Sequence, residues 1–370
     1  MLIYPNTTLK QLTYLPALDL ITTIHSPTSP KNIGAVSSDV KSPVQFKISS
    51  QGYQMTLDPT ALSSSSHGID LASSLEQQIL TIEGFSFTLS RPVIPARSNN
   101  FSHRQSSFSA TAVFTSFQSI GFSQSASFFY RVLIPLSKPI DFFYSIEDSL
   151  ITNDINGTSR RAIKFELNQH PFHLCILSTK EQNQSFLAID CHCMLAFEEF
   201  SDFAFSIINS LGYLTGHLAG THAYFFGYDS MTMSDHMCFY YHSIRPETKS
   251  IYHPIYTNPF GHLYNQPSVA QYYYDNIELP EVSAAQFSAL CTLLWDSADL
   301  TATIHLILEA NVASLVFRPG GYAIALETLS NIIKQPSTPK TNPLTPKTWK
   351  VFRVQITNLF DSLQSSLSPT

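Results

Sequence analysis

Nine of the 13 histidines fall between His170 and His262, a quarter of the chain. Histidine is the commonest metal ligand and the side chain best matched to proton transfer near neutral pH. Two stretches there have spacing that could do chemistry. In the run from Ser185 to Leu195, strand alternation puts Phe186, Ala188, Asp190, His192 and Met194 on one face. Asp190 and His192 are then neighbours able to form an oriented acid–base pair. The opposite face carries Leu187, Ile189, Cys191, Cys193 and Leu195 and is uniformly apolar. Both cysteines therefore read as core-facing hydrophobes, and the C-x2–4-C spacing of a closed zinc site is absent.

In the second stretch, His236 and Cys238 stand two residues apart on one expected strand face, close enough to grip a single ion. His242 lies too far along the strand to join them. A third ligand would come from His192, His217 or His222. The metal set expected on this reading is His192, His236 and Cys238, with Asp190 and His192 catalytic. A bound divalent ion would activate water in a hydrolase or nuclease. The plainer reading is that these are ordinary residues of a tyrosine-rich strand. His217 and His222 are five apart across a glycine-containing turn, unlike the H-E-x-x-H arrangement of a helical zinc site.

A different kind of chemistry is offered by the irregular run that begins at Tyr252. Tyr252, His253, Tyr256 and Asn258, followed by Tyr272 and Tyr273, are amphipathic contact residues of the kind enriched at protein interfaces. Only Arg245 and Lys249 lie near them, too few cations to turn the aromatics into a single-stranded nucleic-acid platform. No G-x-S-x-G elbow, phosphate loop or G-x-G-x-x-G fingerprint occurs, and 13 glycines in 370 residues leave little material for phosphate cradles. Arg97 and His103 have the loose Arg-x5-His spacing found in HEPN-type ribonucleases. Here they lie in a polar stretch between strands rather than on a helix of an all-α bundle, so the match carries no function.

Composition narrows the classes. Charged residues make up 13% of the chain, about half the usual share, while aromatics reach 12%. Few charges with many aromatics exclude a disordered chain. The net charge of −6 offers no general attraction to phosphate, so charge-driven nucleic-acid binding is not expected. No apolar run reaches the roughly 18 residues of a membrane helix. Five cysteines, an odd number placed in apolar runs, together with an N-terminus lacking a secretory signal pattern, point to a reduced, cytoplasmic protein.

The elements that must position these residues follow from periodicity. Strands are expected at Tyr53–Leu57, Ile79–Leu89, Thr111–Ser119 and Ser127–Leu136. Residues 26–44, the serine run at Ser63–Ser66 and the stretch Arg97–Ser109 read as loops. Three strands from Ile163 to Leu195, joined by short polar turns, form an antiparallel meander. A helix follows whose stripe is Phe197, Phe200, Phe203, Ala204, Ile207, Ile208, Leu211 and Leu214. Glu198 and Glu199 favour its N-terminus, and Gly212 and Gly216 mark its end. Strands at His222–Tyr228 and His236–His242 come next. Helices are expected at Ala284–Trp295, Leu300–Phe317, Gly321–Lys334 and Trp349–Leu363, with Arg318–Gly321 as a stop signal.

The expected fold is α+β in three parts. Residues 1–135 form a β-rich domain, a sandwich or open barrel, and 136–280 an α+β domain with the meander. Residues 281–370 form a helical region with a proline-rich linker at 335–347. The expected function is non-enzymatic binding or sensing through protein–protein contacts, as a complex subunit or by self-association. Metal-dependent hydrolysis by the central cluster is the alternative, and a divalent metal is implied only in that case.

Overall fold

A computed structural model describes residues 14–25, 31–34, 42–43, 45–49, 52–57, 75–76, 78–91, 93–102, 105–136, 146, 150–153, 159–179, 184–216, 219–244, 282–313, 318–334, 354 and 358. The fold is α+β, and among the described residues the named strands pair antiparallel, with one isolated parallel bridge between Ile146 and Val282. The chain opens with α1 (Leu15–His25), then β1 (Lys31–Gly34), β2 (Ser42–Pro43), β3 (Gln45–Ser49) and β4 (Gly52–Leu57). Strands β5 (Ile79–Ile82), β6 (Phe85–Leu89), β7 (Val93–Ser102), β8 (Gln105–Phe114), β9 (Ser116–Ser119) and β10 (Ser127–Leu136) follow. The meander is β11 (Leu150–Asn153), β12 (Ser159–Leu167), β13 (His170–Thr179) and β14 (Gln184–Ala196), and it leads into α2 (Phe197–Thr215). A hairpin, β15 (His222–Tyr228) and β16 (His236–Ser243), precedes α3 (Ala284–Asp296), α4 (Ala298–Val312) and α5 (Arg318–Lys334).

Twelve strands join one sheet in the order β11-β12-β13-β14-β10-β15-β16-β9-β6-β5-β1-β2, and β3-β4-β8-β7 make a second. The large sheet runs across residue 135, because β10 lies between β14 and β15. Two compact units emerge, Met1–Ala325 and Leu326–Thr370, with the division inside α5.

Each face of the large sheet is covered differently. On one face α2 and α3 bury Phe200, Phe203, Ile207, Leu211 and Phe287 against Val132, Leu187, Ile189 and Phe225. The Tyr130 ring stacks on Phe200 at 5.1 Å, and Phe165 meets Phe287 edge-on at 5.0 Å. The other face packs against α1, through Ala17, Leu20, Ile21 and Ile24, and against Tyr53, Met55, Ala112 and Phe114 of the second sheet. Strand β10 is thus sandwiched from both sides, which is why its sequence is an almost unbroken apolar run. No helix among the described residues is long and apolar enough to cross a membrane.

Several elements differ from the periodicity reading. The stretch Ile79–Leu89 is a hairpin, because Glu83 and Gly84 adopt φ of 44° and 88° and close a two-residue turn. Thr111–Ser119 is broken at Thr115, where the chain passes from the small sheet into the large one. The polar Arg97–Ser109 stretch pairs as the β7–β8 hairpin, and residues 31–34 and 42–43 form the last two strands of the large sheet rather than loop. Helix α1 lies where only β structure was expected. Helix α4 ends at Val312, before an extended Ala313, five residues short of Phe317. Arg318–Gly321 is the first turn of α5, where a proline costs nothing, instead of a stop. Of the helix expected at Trp349–Leu363, only Val354 and Asn358 are described, and both are helical. The 335–347 stretch and Ser63–Ser66 lie outside the described residues.

Candidate functional site

Two charges sit in two long, largely apolar strands. Arg131 occupies the middle of β10 and Asp190 the middle of β14, the register sets them directly opposite, and both are wholly buried. Arg131 donates from Nε to Asp190 Oδ1 at 2.7 Å and from Nη2 to Oδ2 at 2.9 Å, a bidentate pair. Tyr14, entering α1, donates its hydroxyl to Asp190 Oδ2 at 2.8 Å and lays its ring 3.7 Å beneath the guanidinium carbon. The Tyr228 ring lies 5.5 Å from the same carbon, and Met233, in the β15–β16 turn, accepts from Nη2 through sulfur at 3.5 Å. Burial works against the carboxylate, but the Arg131 charge and hydrogen bonds outweigh it and hold Asp190 below its ordinary value. Arg131 is likewise driven upward by Asp190 in spite of burial.

Beside this pair lie two histidines. His173 faces Asp190 across β13 and β14, and its Nδ1 is 3.0 Å from His192 Nε2. Burial, then the neighbouring His192, depresses His173 to about 3, and burial depresses His192 as well. Both rings are therefore neutral at physiological pH, one donating to the other. The acid–base pair expected of Asp190 and His192 is not formed. Both carboxylate oxygens are occupied by Arg131 and Tyr14, and His192 turns to His173 instead. What the cluster does is hold α1 onto the sheet through Tyr14.

The residues read from sequence as metal ligands are not brought together. His192 is on β14 and His236 on β16, with β10 and β15 between them, so about 14 Å of sheet separates them. His236 and Cys238 do not share a face either. Cys238 is opposite Gly227 and His236 opposite Tyr228, so Met237 is an extra residue that bulges the strand. His236 consequently meets Phe226 on the α1 side, at 5.4 Å, while Cys238 packs on the helix side. Among the described residues no group of three or more His, Cys, Asp or Glu side chains is placed to hold a metal ion. His217 lies outside the described residues, as do Tyr252, His253, Tyr256, Asn258, Tyr272 and Tyr273.

A second polar constellation, unmarked by sequence spacing, lies on the α1 side. His25, the last residue of α1, hydrogen-bonds the Tyr224 hydroxyl, and His222 Nδ1 is 2.8 Å from the Tyr241 hydroxyl. Tyr53 packs edge-on to Tyr241 at 4.4 Å. Burial, then the charge of His222, lowers His25 to about 3. A shallow pocket of about 490 Å3 lies elsewhere, between Glu76, Arg91, Gln118, Ile120 and Tyr240, and none of the residues singled out above lines it.

Arg131 was the residue that sequence spacing missed, although a signal was present. A lone arginine in Phe-Phe-Tyr-Arg-Val-Leu-Ile-Pro-Leu cannot be buried without a carboxylate, and Asp190 is the lone acid of an equally apolar strand. Cys191 and Cys193 do lie on the helix-facing side, as alternation implied, Cys191 fully buried and Cys193 partly so. Compared with known protein families, with curated proteins and with solved structures, the chain matches none of them.

Proposed function

We propose that the protein works by binding another protein, with one end of the central sheet as its contact surface. The observation that carries this reading is a set of exposed, flexible apolar side chains gathered at that end. The register aligns Met194, Phe129, Tyr228 and His236 across β14, β10, β15 and β16. Met194 is 53% exposed, Met237 60%, Met231 in the adjoining turn 41%, and Ile120, just past β9, 56%. Methionine side chains adapt to irregular apolar partners, and solvent-facing clusters of them are characteristic of binding surfaces. The low charge of the chain supports the same reading. So does the Arg131–Asp190–Tyr14 cluster, whose charges are consumed in holding the fold together.

Photo-cross-linking in cells that make the protein tests this. A photoreactive phenylalanine analogue at Met194 or at Met237 is expected to give the same discrete adduct from both sites, whether another polypeptide or a second copy of this chain. The same analogue at exposed Thr22, in the last turn of α1, where His25 meets Tyr224 away from that end of the sheet, is expected to give none. Met194→Glu in the Met237 probe protein should abolish the adduct. Identical cross-linking at all three sites, or none at either methionine, would overturn the reading.

A further inference from the structure

The helix-facing side of β14 holds a group of side chains that the binding surface does not use. Strand β14 advances four residues, Asp190 to Met194, where β10 advances two, Arg131 to Phe129, so β14 bulges at residues 191–193. The bulge sets Cys191 Sγ 3.3 Å from Cys193 Sγ. Cys193 Sγ is also 3.2 Å from His170 Nδ1, at the start of β13. On its other side His170 Nε2 lies 3.8 Å from Glu199 Oε1 in the first turn of α2, and the ring rests against Phe203 at 5.5 Å. The four groups form a line from the fully buried Cys191 to solvent. Of the five cysteines, Cys193 is the one that is not fully enclosed.

We propose that Cys193 and Cys191 form a redox-active dithiol that reduces hydroperoxides, with Cys193 as the attacking sulfur, Cys191 as the resolving sulfur and His170 as proton carrier. The Cys193 thiolate attacks the outer oxygen of R–O–OH. An S–O bond forms, the O–O bond breaks, and the leaving oxygen takes a proton from His170 and departs as R–OH. Cys193 is then a sulfenic acid, oxidised by two electrons. The Cys191 sulfur attacks it, the S–S bond forms, and the S–O bond breaks with loss of water carrying the Cys191 proton. The balance is two thiols and one hydroperoxide giving one disulfide, one alcohol and one water. A low-molecular-weight dithiol returns the pair to the reduced state by exchange. The sulfur atoms need approach by only about 1.3 Å to reach bonding distance.

The two thiols are differentiated as the roles require. The hydrogen bond from Cys191 draws Cys193 down to about 6, against burial and with help from His170. The same hydrogen bond, together with burial, pushes Cys191 far up. Burial likewise raises Cys238 to about 11 and Cys291 to about 12, which leaves those thiols inert.

Full-length reduced protein treated with one equivalent of hydrogen peroxide at pH 7, then counted for free thiols and weighed intact, tests this. Of five thiols, two should be lost. The mass should fall by about 2 Da, with fragmentation placing the bridge between residues 191 and 193, and dithiothreitol should restore both thiols. Cys191→Ala should stop at a Cys193 sulfenic acid that dimedone labels. Because Cys191 is enclosed, Cys193→Ser serves as a second variant, and it should lose no thiols to one equivalent of peroxide. His170→Gln should slow iodoacetamide alkylation of Cys193 at pH 7 roughly tenfold and leave the rate above pH 9 unchanged. Retention of all five thiols, a bridge between other cysteines, or oxygen added at Cys193 with no bridge would overturn the proposal.

Discussion

Replacing Asp190 by asparagine keeps the shape of the central cluster and removes its negative charge. Arg131 is 0% exposed, so its charge is left buried with no carboxylate. At the roughly 4 Å between charge centres implied by contacts of 2.7 and 2.9 Å, the lost attraction is about 4 kcal/mol at an effective dielectric of about 20. Breaking one side of a buried pair costs about 3–5 kcal/mol, in agreement. Asp190→Asn should therefore lower the urea midpoint by an amount equivalent to about 4 kcal/mol at pH 7. Arg131→Met should cost a similar amount at pH 7 but less at pH 5, because the stranded carboxyl can take up a proton. The Arg131→Met/Asp190→Leu double variant removes both charges and should cost far less than the sum of the single changes. The assay is urea unfolding followed by circular dichroism and by aromatic fluorescence, with coincident transitions required before midpoints are compared. A loss below about 1 kcal/mol for Asp190→Asn, or an additive double variant, would refute the claim that this pair is a closed structural unit.

Further outcomes follow from the same geometry. Tyr14→Phe removes a hydrogen bond to a charged group and should cost about 1.5–3 kcal/mol, seen as faster proteolysis or hydrogen exchange in α1 before the sheet opens. His25 and His173, held near 3 by burial, bind fewer protons when folded than when unfolded at an ordinary value near 6.5. Stability should accordingly be full above about pH 6.5 and fall as pH drops, by about 2 kcal/mol per histidine at pH 5, read from urea midpoints at pH 7.5 and 5. Asp190, also held below its ordinary value, works in the same sense but loses its contribution only in stronger acid, so a flat profile down to pH 5 would contradict the neutral histidines. A methyl group on Gly227 would run into the Cys238 sulfur and lie 3.1 Å from Tyr130, so Gly227→Ala should cost about 1–3 kcal/mol in thermal unfolding. Adding Cys238→Ala should return part of that loss. Ser283→Ala deletes the capping box that opens α3 and should cost about 1 kcal/mol, and no measurable loss would show that end held by packing alone.

Local pattern made much of the architecture legible. Three of the four meander strands (β12, β13 and β14), α2 with its left-handed Gly216 cap at φ 81°, the β15–β16 pair and α3 were readable from alternation, helical spacing and end signals, whereas β11 was not. These depend on contacts within a few residues, where backbone geometry and side-chain period dictate the outcome. The β7–β8 hairpin escaped because its composition is polar throughout, and strand formation there is decided by pairing rather than by alternation. The α1 helix escaped because its stripe of Ala17, Leu20, Ile21 and Ile24 is short and sits in a β-rich region.

The candidate sites divide along the same line. By itself the sequence determined that Asp190 and His192 share a strand face, that Cys191 and Cys193 share the other, and that a lone arginine lies in an apolar strand. Only the tertiary structure decided which of these meet. Asp190 goes to Arg131, 59 residues away, and to Tyr14, 176 residues away, instead of to His192. One bulge at Met237 turns His236 and Cys238 onto opposite faces, and another at residues 191–193 brings two sulfurs and His170 together. Bulge positions and strand order are settled by competition among long-range pairings over a buried face. A one-residue slip there reverses every side chain, and no window of local sequence contains the energy that chooses.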